Sequence, residues 1–363
     1  IVASQAHHKK IDGHAPGLQG KDLDTYVAAG VYSDHECATM EDALAKLQRG
    51  QFIMIREGTA ARNLEALAPL LTPQYAERCM FCTDDKHPSD LLEKGHIDYI
   101  AREAINKYGV DPIIAVKAAC HHASRYFLLN NRGAIAPGYL ADFAVIDNFK
   151  DFNVEMVFKK GVLYWNNGEL RDFEAPKIEE YLDKRAHDTF HVSTLTPDDF
   201  RDTRQRGVLG MVPGEIITTD NGYADHVDLE KDILKIAVVE RHKGTHHIGL
   251  GYIQGYGLKS GAVATSISHD SHNIIVVGTN SADMAFAANY IVEHHGGIVV
   301  VENGTVKGSV VLEIAGIMSD RPLTEVNEKL EGAKAAAFKL GVKEGIDPFM
   351  TLSFMALPVI PKL

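Results

Sequence analysis

Three short polar clusters punctuate residues 11–85, each after a strand-like apolar stretch: Asp12-Gly13-His14, Ser33-Asp34-His35-Glu36 and Cys82-Thr83-Asp84-Asp85. Neutral imidazole and carboxylate are the groups that hold a divalent cation while leaving a position open for water. Ligands so far apart in sequence must come from different elements that end together in space. A β/α barrel provides that arrangement at the carboxyl ends of its parallel strands. A lone histidine at a strand end is commonly a hydrogen-bonded core residue. Three metal-type residues at three strand ends, His14, His35 and Asp84, favour a metal centre instead. The chemistry such a centre supports is hydrolysis.

The elements needed to position those residues are legible in residues 1–128, where short apolar runs alternate with amphipathic stretches as in repeated βα units. Strand ends are expected at Ile11–Gly13 and Val31–Ser33, with an unbroken buried strand at Phe52–Ile55 and another at Met80–Cys82. Helices are predicted over Lys21–Ala29, Met40–Arg49 and His96–Lys107, the second capped by Thr39 with Glu41 and Asp42 in its first turn. Four such units make half of an eight-fold barrel.

From Arg132 the texture changes, and residues 129–172 are expected to form a small β-sandwich module with hairpin signals at Lys160-Gly161 and Asn167-Gly168. Residues 173–201 are polar enough to act as a connector. Residues 202–363 carry strand and helix signals in alternation and predict an α+β domain.

Other groups of reactive residue types carry less. Arg56-Glu57 follows the third strand at the level of the metal-type residues. The pair could touch a polar substrate or hold a ligand in place, or it could be a rim ion pair. Cys79-x-x-Cys82 has no second pair, and positions three apart on a strand face opposite ways, so packing is the favoured role. The H-x-E and P-C-x-x-C motifs of zinc nucleobase deaminases are absent, since Arg78 stands where that motif needs Pro. Ser268-His269-Asp270-Ser271-His272-Asn273 precedes a buried-looking strand, and His269, Asp270 and His272 are candidate substrate contacts, with a solvated loop as the alternative. Gly249–Lys259 lacks the spacing of a phosphate-binding loop.

Composition bounds the function classes. A net charge of −12 disfavours nucleic acid and anionic membranes as partners. No apolar run reaches the roughly 18 residues that span a bilayer. Four cysteines in 363 residues are too sparse for a disulfide framework, which suits a reducing cytoplasm. The chain starts at Ile1 with no cap or targeting pattern, as though inside a fold.

Four stretches, Ile11–Gly17, Ser33–Cys37, Ile53–Asn63 and Cys82–His87, resemble the barrel motifs of bacterial-type adenine deaminases. Gly133–Asp147 is similar to the β-module signature of the wider amidohydrolase superfamily, and Ser268–Asn273 and Asp347–Pro361 resemble the deaminase's own C-terminal domain. The resemblance implies an α/β fold: the C-terminal half of a metal-dependent (β/α)8 amidohydrolase barrel, the small β module and an α+β C-terminal domain. It implies deamination of adenine to hypoxanthine and ammonia in purine salvage, at two divalent metal ions, manganese or iron, with zinc as an alternative. By position His14, His35 and Asp84 become metal ligands, and Asp84 also moves protons. Glu57 becomes a further catalytic candidate, and Arg56, His269, Asp270 and His272 become substrate contacts. A soluble cytoplasmic homo-oligomer is expected. The family's paired His-x-His and bridging carboxylate would lie upstream of Ile1, so the 363 residues are expected to be an inactive part of the enzyme when alone. The other readings are an amidohydrolase acting on a cyclic amide or another aminopurine, and a structural fragment.

Overall fold

Four short strands, β1 (Asp12–Gly13), β2 (Ser33–Asp34), β3 (Phe52–Arg56) and β4 (Cys79–Cys82), lie side by side in chain order. All neighbours in this sheet are parallel, with Gly13 paired to Asp34, Asp34 to Ile53, and Arg56 to Cys82. This is a computed structural model, which describes residues 1–212 and 218–358 and divides into two units, Ile1–Ala175 and Pro176–Leu363. Residues 359–361 of the C-terminal motif therefore lie outside the described residues.

Parallel strands need crossovers, and helices Gly20–Ala28 and Met40–Leu47 supply the first two. The Thr39 side chain accepts the backbone N–H of Asp42, as the sequence predicts. Ile53 and Ile55 on one face of β3 are fully buried with Leu64, Leu67, Ile100 and Ala104, which fixes which face of the sheet meets the helices. After β4 come helices Pro88–Glu93 and Ile97–Asn106, then a run from Pro112 to Tyr126 that passes through a wider turn at Lys117–His121. Asp111 caps that run by accepting from the N–H groups of Ile113 and Ile114.

Residues 143–170 form one four-stranded antiparallel meander: β5 (Phe143–Ile146), β6 (Val154–Lys159), β7 (Val162–Asn166) and β8 (Glu169–Leu170). Of the sandwich module expected over residues 129–172, this stretch supplies the strands of one layer. Its residues are half-buried or exposed along every strand.

The second unit is built on an eight-stranded mixed sheet: β9 (Arg206–Met211), β10 (Thr218–Ala224), β11 (Ile233–Val239), β12 (Ile248–Gln254), β13 (Ala262–Thr265), β14 (Ile274–Gly278), β15 (Gly297–Glu302) and β16 (Thr305–Val311). Their order across the sheet is β10-β9-β12-β11-β14-β13-β15-β16. Helix Ser281–Glu293 packs on β13, β14 and β15, and helix Leu323–Lys339 packs on β16. The stretch expected as connector differs from that reading. Glu180–His187 is helical, and Leu195 and Phe200 are buried in the core of the second unit because their apolar side chains have the sheet-covering helix to pack on. Among the described residues, no helix is long and apolar enough to cross a membrane.

Candidate metal centre

Because β1 and β2 end in register, the residues that follow them emerge at one level. His14 and His35 meet edge to face, with ring centroids 4.5 Å apart. Glu36 stands between them, its Oε1 3.3 Å from His14 Nδ1 and 3.6 Å from His35 Nε2. One ligand atom from each of His14, His35 and Glu36 lies within 4.8 Å of the others, and no other described residues form such a group. Two imidazoles and a carboxylate are a donor set that suits a first-row divalent cation.

His35 is oriented from behind. Its Nδ1 is 2.7 Å from Asp12 Oδ2, which leaves Nε2 directed at Glu36. A carboxylate behind a ligating imidazole fixes its tautomer and raises its basicity. Asp12 is itself held: Ser33 Oγ donates to its other oxygen at 2.6 Å and lies 2.6 Å from the Tyr126 hydroxyl. Burial alone would lower the His35 pKa, but the hydrogen bond to Asp12 and the charges of Asp12, Asp84 and Glu36 raise it above the ordinary value. Burial would likewise raise Asp12, and the His35 and Ser33 hydrogen bonds lower it overall.

Arg56, expected to contact the substrate or to hold a ligand in place, is tied to the cluster. Only 5% exposed, it donates from Nη1 to Glu36 Oε1 and to Asp84 Oδ2, both at 2.9 Å. Its Nη2 reaches Glu36 Oε2 at 3.3 Å, and its Nε donates to Asn63 at 2.9 Å. Asp84 therefore joins the cluster through Arg56. It occupies the left-handed region at φ +52°, which Asp tolerates at a turn. The loop that carries it is pressed by Gly58, where a Cβ would lie 2.1 Å from the Thr83 carbonyl oxygen.

Glu57 is not brought to the centre. One residue beyond Arg56 on an extended segment, it falls on the opposite face, where it accepts from the backbone of Leu64 and feels Arg62, Lys107 and Lys86. Burial raises its pKa against those cations. Burial likewise pushes the Cys37, Cys79 and Cys82 thiols up to about 12, which removes them as nucleophiles.

In the second unit, the His269 ring stacks on Phe354 with centroids 4.5 Å apart, and its backbone N–H donates to Ser353. Asp270 is exposed. Arg241, which is buried, anchors the loop by donating to the His272 carbonyl at 2.5 Å and to Thr189 and Ala315. Ser268 Oγ and His272 Nδ1 are buried with no hydrogen-bond partner among the described residues. Burial and the charges of His269 and Arg241 lower the His272 pKa.

Sequence reasoning missed Glu36 and Asp12 as members of the centre. Both stood inside the polar clusters, but only the parallel register shows that the two strand ends face each other.

The parallel βα sheet carries a His, His, Glu cluster able to hold a cation, and residues 2–164 match the amidohydrolase family. Residues 214–363 match the adenine deaminase C-terminal domain. An adenine deaminase of Desulfatibacillum aliphaticivorans is 44% identical over 99% of this chain and 64% of its own length. Those of Dehalococcoides mccartyi and Kosmotoga olearia are 43% and 44% identical over 99% and 98% of the chain. The chain is similar to amidohydrolases over its first part and to adenine deaminases over nearly its whole length. It spans 63–64% of the length of these relatives. Among solved structures, a beta-aspartyl dipeptidase of Fervidobacterium islandicum matches 48% of the chain and 50% of its own at 18% identity, with a TM-score of 0.39, too low to build on.

Proposed function

We propose that this chain contributes to an enzyme that hydrolyses adenine to hypoxanthine and ammonia. The observation that carries the reading is the convergence of His14, His35 and Glu36 beside an Arg56-bound Asp84, in a chain 44% identical to a relative named adenine deaminase. On this reading the four-stranded sheet is half of a (β/α)8 barrel, in a cytoplasmic homo-oligomeric enzyme of purine salvage.

His14 and His35 would hold a divalent cation through imidazole nitrogen, with Glu36 as the carboxylate within reach. Manganese or iron is proposed, as a pair of ions, with zinc as the alternative. A bound cation of this kind lowers the pKa of its water and so provides a nucleophile at neutral pH. Asp84 would take the proton released as oxygen bonds to C6 of the purine and pass it to the departing amine. Arg56 fixes the direction of that carboxylate, and Asp12 keeps His35 Nε2 aimed at the centre. His269, Asp270 and His272 are proposed as substrate contacts, supported by the two buried polar atoms of their loop that lack partners. A buried donor or acceptor without a partner costs about 1–3 kcal/mol, which a hydrogen-bonding ligand would recover.

Ammonia release from adenine, adenosine, hydantoin and dihydropyrimidine by the metal-loaded enzyme tests the reading. Turnover of adenine alone is expected, and preference for a cyclic amide would overturn it. In the same assay the His269→Ala/His272→Ala variant should show a raised KM at unchanged metal content. Unchanged kinetics would remove the loop from the site.

A further inference from the structure

Behind the candidate centre, helix Met40–Leu47 carries a lysine into the core. Lys46 is fully buried, with its Nζ 2.9 Å from Asp34 Oδ2, 3.0 Å from Asp42 Oδ2 and 3.5 Å from Cys37 Sγ. Asp34 is also fully buried, and it accepts two backbone N–H groups. Glu36 donates to its Oδ1 at 2.5 Å and Ala15 donates to its Oδ2 at 3.2 Å. Those two donors are the neighbours of His35 and His14 in the chain. Asp42 takes only the weaker contact from Gly17, at 3.5 Å, and its Oδ1 has no partner among the described residues.

A buried ion pair of this kind is weak evidence for stability, since apolar residues of similar volume often serve as well. Geometry is what an apolar substitute could not supply. One carboxylate, held by one ammonium, ties the loop after β1 to the loop after β2 at the residues beside their metal-type side chains. Groups that orient ligands from behind typically affect metal affinity 10–100-fold.

We propose that Asp34, with Lys46 as its counterion, is a positioning residue that sets the mutual geometry of His14, His35 and Glu36. The inference rests on the metal-centre reading, so its test separates the two. Co2+ alone is titrated into the 363-residue chain and into Asp34→Asn, Asp42→Asn and Lys46→Met variants, with affinity and the visible d–d spectrum as readouts and Tm measured in parallel. Asp34→Asn and Asp42→Asn each leave Lys46 one carboxylate, so both should fold with comparable loss of Tm. Asp34→Asn is expected to weaken Co2+ binding about 10–100-fold and alter the spectrum, while Asp42→Asn stays within about threefold of the parent. Lys46→Met, where it folds, should follow Asp34→Asn. Affinity losses that merely track Tm across the variants would overturn the proposal. Should the parent fail to bind Co2+, the metal reading falls, and amide hydrogen exchange decides the positioning role. Ala15 and Glu36 should then exchange at least about tenfold faster in Asp34→Asn than in the parent or Asp42→Asn, and equal protection in all three would sink the idea.

Discussion

The Arg56 guanidinium grips Glu36 with both terminal nitrogens and lends one of them to Asp84, so two carboxylates of different proposed duty share one rigid fork. Asp84 is the more exposed of the two, at 36% against 16%, which suits a group that exchanges protons. Asp84→Asn keeps an acceptor for Arg56 and tolerates the left-handed backbone, yet it removes the basic site. In the metal-loaded enzyme kcat for adenine should fall about 10²–10⁴-fold with little change in KM, measured by steady-state ammonia release. A variant that retains most of its turnover would assign proton transfer to another group. The types of His14, His35 and Asp84 were legible from their places after apolar runs. Glu36 was hidden because the residue after His35 matters only once β1 and β2 are paired, and Glu57 misled because strand parity reverses its side chain relative to Arg56.

At the scale of elements, strands whose interiors are branched apolar residues were readable and those with interior glycines were not. β14 (Ile274–Gly278) follows Ser268–Asn273 as the sequence predicts, whereas β9 and β12 carry glycines at 207, 210, 249 and 251 that weaken any strand signal. The helical run from Pro112 to Tyr126 fastens to β4 through His122, a buried imidazole whose Nδ1 lies 2.9 Å from the Cys79 carbonyl. Burial lowers its pKa despite that hydrogen bond. Below an ordinary value of about 6.5 the unfolded chain therefore takes up a proton that the folded chain refuses, and stability falls with pH by at most about 1.4 kcal/mol per pH unit. His35 has the opposite sign: its raised pKa adds stability that is present below about 6.5 and lost as pH rises through the folded value. Replacing His122 by Asn, which keeps a donor for the carbonyl, isolates the first effect. On going from pH 7.5 to 5.5 the urea midpoint should fall less, or rise more, in His122→Asn than in the parent. An equal or larger fall, or an equal or smaller rise, would mean that this imidazole does not resist acid in the fold.

Over the whole molecule, an acidic chain of 363 residues joins a segment that matches the amidohydrolase family to one that matches the adenine deaminase C-terminal domain. In the first unit β3 and β4 were visible in sequence because buried parallel strands are continuous apolar runs, whereas β1 and β2, at Asp12–Gly13 and Ser33–Asp34, were marked only by the apolar residues before them. The strands at 143–170 were legible as a β module but not their arrangement as one antiparallel layer, since strand alternation says nothing about what covers a sheet. The division of the chain at 175/176 was equally obscure, because the polar residues 176–188 give way to Phe190, Val192 and Leu195, whose burial depends on the sheet of the second unit. The central claim is that His14, His35 and Glu36 share an ion. Anomalous diffraction at the manganese absorption edge from a crystal soaked in Mn2+ tests it most directly. A peak is predicted at about 2.0–2.3 Å from a nitrogen of His14, from Nε2 of His35 and from a carboxylate oxygen of Glu36. A fully occupied peak elsewhere, with these three side chains bare, would contradict it.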